Sequence, residues 1–250
     1  MLACLLADLE QHTAQSSPTA YAHHGLRYKS TLFKQRRAHS PLQRLSSQEK
    51  KPSASKPSSS STVPAPASNK MAPKVAIVIY TMHGHLAKLA EAVKAGVEQA
   101  GGSTTIFQIE ETLSESALAE KHAAPKPNYP VFTPAQLLEF DAFLFGIPTR
   151  YGNFPVQWKS FWDATGGHWV KGALTGKYAG VFISTGTLGG GQESTAIASI
   201  STFTHHGIIY VPLGYRDAFD ILSNVDEVRG GSPWGSGTFA GARGGRNPSA

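Results

Sequence analysis

The chain has 250 residues, a formal net charge of +6 and a single cysteine, Cys4, which excludes an intrachain disulfide framework. Residues 1–70 carry ten Lys or Arg and three Asp or Glu, whereas residues 71–250 carry thirteen and fourteen. The basic character therefore belongs to the first part of the chain. The remainder is close to neutral, which argues against a basic groove for nucleic acid.

Residues 1–70 are predicted to form a disordered, basic, Ser/Pro-rich extension. Ser, Pro, Ala and Lys dominate Lys50 to Ser68, so too little apolar surface is available to offset the entropy cost of ordering. The Arg-rich, acid-poor composition faintly resembles a mitochondrial transit peptide. A disordered leader, or untranslated sequence before an internal start at Met71, is the simpler interpretation, and we expect a cytoplasmic protein.

Membrane contact is expected to be weak at most. No apolar run in the sequence is long enough to span a bilayer, so we predict no integral membrane segment. The basic residues of the extension could attract anionic lipid, but they are scattered rather than clustered. Weak peripheral association is therefore the most that the sequence supports.

Residues 71–250 predict one α/β domain in which strands and helices alternate. Strands are predicted over residues 75–80, 104–109, 141–146, 178–184 and 208–213. The main helices are predicted over residues 86–97, 155–164 and 194–203. This alternation predicts a five-stranded parallel sheet covered on both faces by helices, because right-handed crossovers place them there. An aromatic stripe of Trp158, Phe161 and Trp162 is assigned to the core.

Three loops rich in Gly, Thr or Ser follow predicted strands, at residues 81–86, 148–153 and 184–191. In open parallel sheets, ligands bind beyond the carboxyl ends of the strands, so the three loops predict one site. The first loop joins a strand tightly to a helix and lacks both the P-loop lysine and a GxGxxG pattern. It therefore suits a single phosphomonoester, such as that of FMN. The other loops can offer backbone groups to a flat heterocycle, because glycine permits close approach.

Five motifs carry a family resemblance: Thr81-Met-His-Gly-His-Leu86, Pro148-Thr-Arg-Tyr-Gly-Asn153, Thr165-Gly-Gly-His-Trp169, Ser184-Thr-Gly-Thr187 and Thr204-His-His-Gly207. In this order they resemble the WrbA-type NAD(P)H:quinone oxidoreductases, which are flavodoxin-like FMN proteins, over about residues 74–250. The resemblance implies a flavodoxin-like three-layer sandwich, non-covalent FMN, and NADH or NADPH as co-substrate. It also implies two-electron reduction of quinones to hydroquinones by a ping-pong mechanism, in a homotetramer or homodimer. We predict no metal site.

The resemblance further implies roles for individual residues. The FMN phosphate would be wrapped by Thr81, Met82, His83, Gly84, His85 and Leu86, through backbone N–H groups and the Thr81 hydroxyl. The ribityl chain and isoalloxazine would be bordered by Pro148, Thr149, Arg150 and Tyr151, and by Ser184, Thr185, Gly186, Thr187, Leu188 and Gly189. Trp169 and Tyr215 would line the substrate pocket.

Two of the implied roles leave alternatives open. His205 would approach the cofactor from a neighbouring subunit or from the following helix, either to transfer a proton to the quinone or as a structural residue. Arg150 would pair with the nicotinamide nucleotide phosphates or remain solvated.

The sequence departs from the family pattern at two places. His83 stands where the family commonly has Tyr, near the nicotinamide site. The sequence ends at Arg246-Asn-Pro-Ser-Ala250, where the family continues into a last amphipathic helix, so we expect that helix to be missing.

Two other functions compete with the enzyme. An FMN-binding electron carrier would be strongly acidic near the flavin, which the near-neutral charge opposes. A non-enzymatic scaffold of flavodoxin fold would not need intact flavin loops.

Overall fold

The computed structural model describes residues 72–241, so the predictions for residues 1–70 and for the C-terminal end lie outside the described part. Its strands are β1 (Val75–Ile79), β2 (Thr104–Gln108), β3 (Ala142–Pro148), β4 (Tyr178–Thr185), β5 (Ile209–Tyr210) and β6 (Ser236–Phe239). Its α-helices are α1 (His85–Gln99), α2 (Glu115–Glu120), α3 (Val156–Asp163), α4 (Gly166–Val170), α5 (Gln192–His205) and α6 (Phe219–Ser223). A short 3-10 helix covers Pro134–Leu138.

The strands form one parallel sheet in the order β2-β1-β3-β4-β5, with β6 also paired to β4. This is the flavodoxin-like order, in which the direction of strand addition reverses between β1 and β3. The predicted flavodoxin-like α/β fold is therefore confirmed. Helices cross from the carboxyl end of one strand to the amino end of the next, which leaves the loops after β1, β3 and β4 at one edge.

The fifth position in the sheet differs from the prediction. β5 pairs with Tyr178 and Ala179 at the start of β4, whereas β6 pairs with Phe182–Thr185 at its end. The predicted continuous strand over residues 208–213 is cut short at Tyr210. Pro212 follows almost at once and has no N–H to donate to a ladder.

The sheet separates two apolar layers, because successive side chains of each strand alternate between its faces. One layer contains Val78, Phe145 and Val181 packed against residues of α3 and α5. The other contains Ile77 and Leu144 with residues of α1. Trp158, Phe161 and Trp162 are all buried in the first layer, so the prediction of a core aromatic stripe is confirmed. Across residues 72–241, no helix has both the length and the apolar character needed to cross a membrane.

Candidate functional site

A pocket opens at the carboxyl edge of β1, β3 and β4, where the three predicted loops meet. It is lined by Thr81, Met82, His83, His85, Pro148, Thr149, Arg150, Ser184, Thr185, Gly186 and Ala240. All but the last belong to the residues expected to bind the cofactor. Ala240 follows β6, a strand that was not predicted because Ser236–Phe239 contains no apolar run.

The loop after β1 is built to present backbone N–H groups. Gly84 caps α1 in the left-handed region, with φ of 84°, and no side chain caps the helix. The first N–H groups of an α-helix have no carbonyl partner within the helix. The Gly84 N–H donates to Thr81 Oγ1 at 3.1 Å, which leaves the hydroxyl hydrogen of Thr81 available to an acceptor in the pocket. The Leu86 side chain is buried in the core, so this residue can offer only its backbone N–H.

The loop after β3 is a tight two-residue turn. Arg150 and Asn153 exchange backbone hydrogen bonds of 2.6 and 3.0 Å, while Tyr151 and Gly152 have φ of 54° and 76°. Positive φ at both central residues is the pattern of a type I′ turn. A tyrosine with positive φ is sterically strained, whereas a glycine is not. The Tyr151 side chain is fully exposed, next to the pocket-lining Arg150.

Hydrogen bonds connect the second loop, residues 148–153, to the third loop, residues 184–191. The Thr149 N–H donates to the Ser184 carbonyl at 2.9 Å, and the Thr149 and Thr195 hydroxyls lie 2.8 Å apart. The pocket wall formed by these loops is therefore held to α5. Thr187, Leu188 and Gly189 lie outside this pocket and line a neighbouring cavity of about 390 Å³.

Gln192, at the start of α5, ties the third loop to β6. Its Nε2 donates to Thr185 Oγ1 at 3.3 Å and to the Thr238 carbonyl at 2.9 Å. Its Oε1 accepts from the Gly231 N–H at 2.6 Å. The Ala240 N–H also donates to the Thr185 carbonyl at 2.9 Å, so β6 closes the side of the pocket.

The pocket carries positive and neutral polar groups and no lining carboxylate. Arg150 Nη1 donates to the Thr149 carbonyl at 2.8 Å, which orients the guanidinium. Burial lowers the pKa of His83; a hydrogen bond with the His122 backbone opposes this shift, and the neighbouring His85 and Arg150 lower the pKa further. His83 is therefore neutral near pH 7. The electrostatics of the pocket suit an anionic group.

Trp169 and His205 lie at the other edge of the sheet. α5 begins beside the third loop and runs for 14 residues, about 20 Å at 1.5 Å per residue, before it ends at His205. Thr165 Oγ1 lies 2.8 Å from His206 Nε2, which places the start of α4 beside the end of α5. Both Trp169 and His205 are exposed. Within one chain, neither residue reaches the pocket.

Tyr215 lies in the segment that connects β5 to β6. Its side chain is half-exposed and its ring centroid is 6.3 Å from that of Phe219 in α6. It does not line the pocket within the single chain.

A partly buried polar cluster beside the first loop was not predicted. The Glu111 carboxylate accepts hydrogen bonds from the Tyr80 hydroxyl at 3.0 Å and from Gln157 Nε2 at 2.9 Å, and it pairs with Lys126 Nζ at 2.5 Å. Burial alone would raise the pKa of Glu111, but bonds from Lys126, the Leu113 N–H and Tyr80 outweigh burial and bring the pKa to about 2. No periodicity or motif marks these residues, because they come together only through the folding of the polar segment 110–130.

A parallel sheet of this order, with an acid-free pocket formed by three loops at its carboxyl edge, defines a flavodoxin-like protein. The sequence pattern of the NADPH-dependent FMN reductase family matches residues 74–216, more than half of the chain, and the protein belongs to that family. This result confirms three predictions: the family, an NAD(P)H-dependent flavoenzyme, and FMN as its cofactor.

Several known proteins are similar to this chain. The chain is 63% identical to Protoplast secreted protein 2 of Saccharomyces cerevisiae over 178 residues, which cover 71% of this chain and 89% of that protein. It is 58% identical to NAD(P)H quinone oxidoreductase PST3 of Candida albicans, with the same coverage. Among solved structures, the WrbA-like flavodoxin of Agrobacterium tumefaciens is 28% identical, with 57% of this chain and 79% of that chain covered and a TM-score of 0.42.

Proposed function

We propose that this protein is an FMN-dependent NAD(P)H:quinone oxidoreductase that reduces quinones to hydroquinones by two electrons in a ping-pong sequence. The observation that carries the proposal is the meeting of the three loops in one pocket that holds Arg150 and no carboxylate. Similarity to the NAD(P)H quinone oxidoreductase PST3 of Candida albicans supports quinones as the substrate class.

The residues of the pocket fit the parts of FMN. The uncapped start of α1, together with the Thr81 hydroxyl, would hold the phosphate, since backbone N–H groups and the helix dipole favour an anion there. Backbone groups of Thr149, Ser184 and Gly186 would hydrogen-bond the ribityl chain and ring edge. FMN would supply the hydride chemistry when bound, so no side chain needs to act as a nucleophile.

The charge of the pocket distinguishes this proposal from an electron carrier. A carrier that docks basic partners needs carboxylates around the exposed flavin edge. The lining residues include a guanidinium and two imidazoles instead. Such a site suits anionic nicotinamide nucleotides, with which Arg150 would pair.

The substrate pocket is proposed to be completed by a second copy of the chain. Trp169 and His205 lie at the edge opposite the chain's own pocket, yet both are exposed. A homodimer or homotetramer would bring them over the flavin face of a neighbouring copy, where Trp169 would wall the pocket and His205 would assist proton transfer. Tyr215 would close the same pocket.

The full chain, loaded with FMN, tests the activity directly. We expect oxidation of NADH or NADPH to depend on added benzoquinone, and reciprocal plots at several quinone concentrations to be parallel. Reduction of a one-electron protein acceptor without quinone turnover would support the carrier instead. Flavin binding with neither activity would support the scaffold.

Mixing two inactive variants tests the shared site. Thr81→Pro would disrupt the phosphate loop, and His205→Ala would remove the proposed proton donor of the neighbouring site. If each site uses two chains, mixed oligomers contain an intact site and recover part of the turnover. Equal mixtures that remain as inactive as the separate variants would contradict the shared site.

A further inference from the structure

We propose that Lys126 is a positioning residue for the FMN phosphate, which it orders through the Thr81 carbonyl while Glu111 holds its ammonium group in place. The inference rests on the proposed function, because it takes residues 81–86 as the phosphate loop. It adds a residue distant in sequence from all three pocket loops.

Segment 122–126 lies along the outside of the phosphate loop. Lys126 Nζ donates to the Thr81 carbonyl at 3.2 Å, and the Ala124 N–H donates to the Met82 carbonyl at 2.8 Å. The first two carbonyls of the loop are therefore both drawn toward this segment. No residue of segment 122–126 lines the pocket, whereas Thr81 and Met82 do.

The direction of these carbonyls fixes the direction of the next amide groups. In a planar trans peptide, the C=O of one residue and the N–H of the next point to opposite sides, and the described residues contain no cis peptide. Because the Thr81 and Met82 carbonyls point to segment 122–126, the N–H groups of Met82 and His83 point away from it. That side is the pocket side, so both amides are oriented for an anion before it binds.

Glu111 holds the ammonium group of the partly exposed Lys126 beside the phosphate loop. Its carboxylate lies 2.5 Å from Lys126 Nζ and is itself fixed by Tyr80 and Gln157. Lys126 Nζ also lies 4.5 Å from the centroid of the Tyr80 ring, within the range of a cation–π contact. The carboxylate and the ring therefore hold the ammonium group from two sides, and its third partner is the Thr81 carbonyl.

The test compares two ligands that differ only in the phosphate. The apo form of the full chain is titrated with FMN and with riboflavin, and the quenching of flavin fluorescence gives each Kd. Lys126→Met removes the donor and the charge but keeps the length of the side chain. We expect the Kd for FMN to rise about tenfold, as for the loss of a hydrogen bond to a charged group, while the Kd for riboflavin stays within twofold.

Two further variants separate positioning from general stability. Lys126→Arg keeps a charged donor and should recover most of the preference for FMN. Lys159→Met is the control, because Lys159 forms only an exposed pair with Asp163 in α3. It should leave both Kd values unchanged.

The outcomes distinguish this inference from the proposed function. If the unaltered protein binds riboflavin as tightly as FMN, residues 81–86 do not hold the phosphate and the proposed site is wrong. If the unaltered protein prefers FMN and Lys126→Met keeps that preference, the site stands and the role of Lys126 is refuted. A loss that is equal for both ligands would also refute it, since that result indicates a structural role alone.

Discussion

Gly146, in the middle of β3, has no room for a side chain. A Cβ atom there would lie 2.6 Å from two ring carbons of Phe182 and 2.7 Å from Ile79 Cγ2, and both neighbours are fully buried. Contacts this short force a shift, and neither a buried ring nor a buried branched side chain can move away freely. We therefore predict that Gly146→Ala destabilises the protein.

The expected loss is about 2–3 kcal/mol in the free energy of unfolding, in the upper part of the range for overpacking by one carbon. Gly96→Ala provides a matched control. Gly96 lies within α1, and a Cβ there would meet nothing within 4 Å. Alanine is the better helix former, so this variant should gain about 0.5–1 kcal/mol.

Urea unfolding of the two full-length variants, followed by tryptophan fluorescence, measures both effects. The urea concentration at the unfolding midpoint should fall for Gly146→Ala and rise for Gly96→Ala. The packing of β3 described above would be refuted by a Gly146→Ala variant as stable as the unaltered protein. The flavin Kd should also rise in this variant, because β3 leads directly into the Pro148–Asn153 loop.

Three further predictions concern the site. The lowered pKa of Glu111 stabilises the fold above about pH 4.5, and this contribution, about 1–2 kcal/mol once solvent screening of the partly exposed ion pair is allowed for, is lost as the pH falls toward 2. Urea unfolding should therefore separate Glu111→Gln from the unaltered protein at pH 6 and bring the two together in acid. A constant difference between them would contradict the assignment. Tyr151→Gly should relieve the strain at positive φ, which raises the free energy of unfolding by about 1 kcal/mol, and it should also weaken flavin binding. Thermal unfolding measures the first effect and fluorescence titration with flavin the second. A variant less stable than the unaltered protein would be evidence against strain at Tyr151. Gln192→Ala should speed amide hydrogen exchange in β6 and raise the Kd for FMN, because three hydrogen bonds are lost. Glu193→Ala, which changes the exposed neighbouring residue, is the control. Unchanged hydrogen exchange in β6 of Gln192→Ala would contradict the role of Gln192.

The sequence was most informative where apolar residues form uninterrupted runs. Val75–Ile79 was found as a buried strand because all five residues are apolar and face a core on either side. The start of α1 at His85 lies one residue before the predicted start, since Gly84 ends the preceding turn. The three loops could be brought together in advance because parallel strands end at a common edge.

What could not be predicted depends on contacts that tertiary structure alone creates. Glu111 and Lys126 are fifteen positions apart in a polar segment, and they meet because the Ala124 N–H bonds to the Met82 carbonyl and folds this segment over the first loop. β6 was missed because it is only four residues long, contains a glycine and has no apolar run, and its pairing depends on β4.

The division of the fifth strand gives the molecule a natural insertion point. β5 ends against Ala179 and β6 begins against Phe182, so the ends of the connecting segment lie only about 10 Å apart along β4. A foreign domain whose own termini are close together could be inserted after the exposed Val225, beyond α6, without separating the strands. β6 leads into Ala240 at the pocket, so an inserted domain that changes conformation on binding its target would displace β6 and alter the flavin site. The absorbance or fluorescence of the flavin would then report that binding.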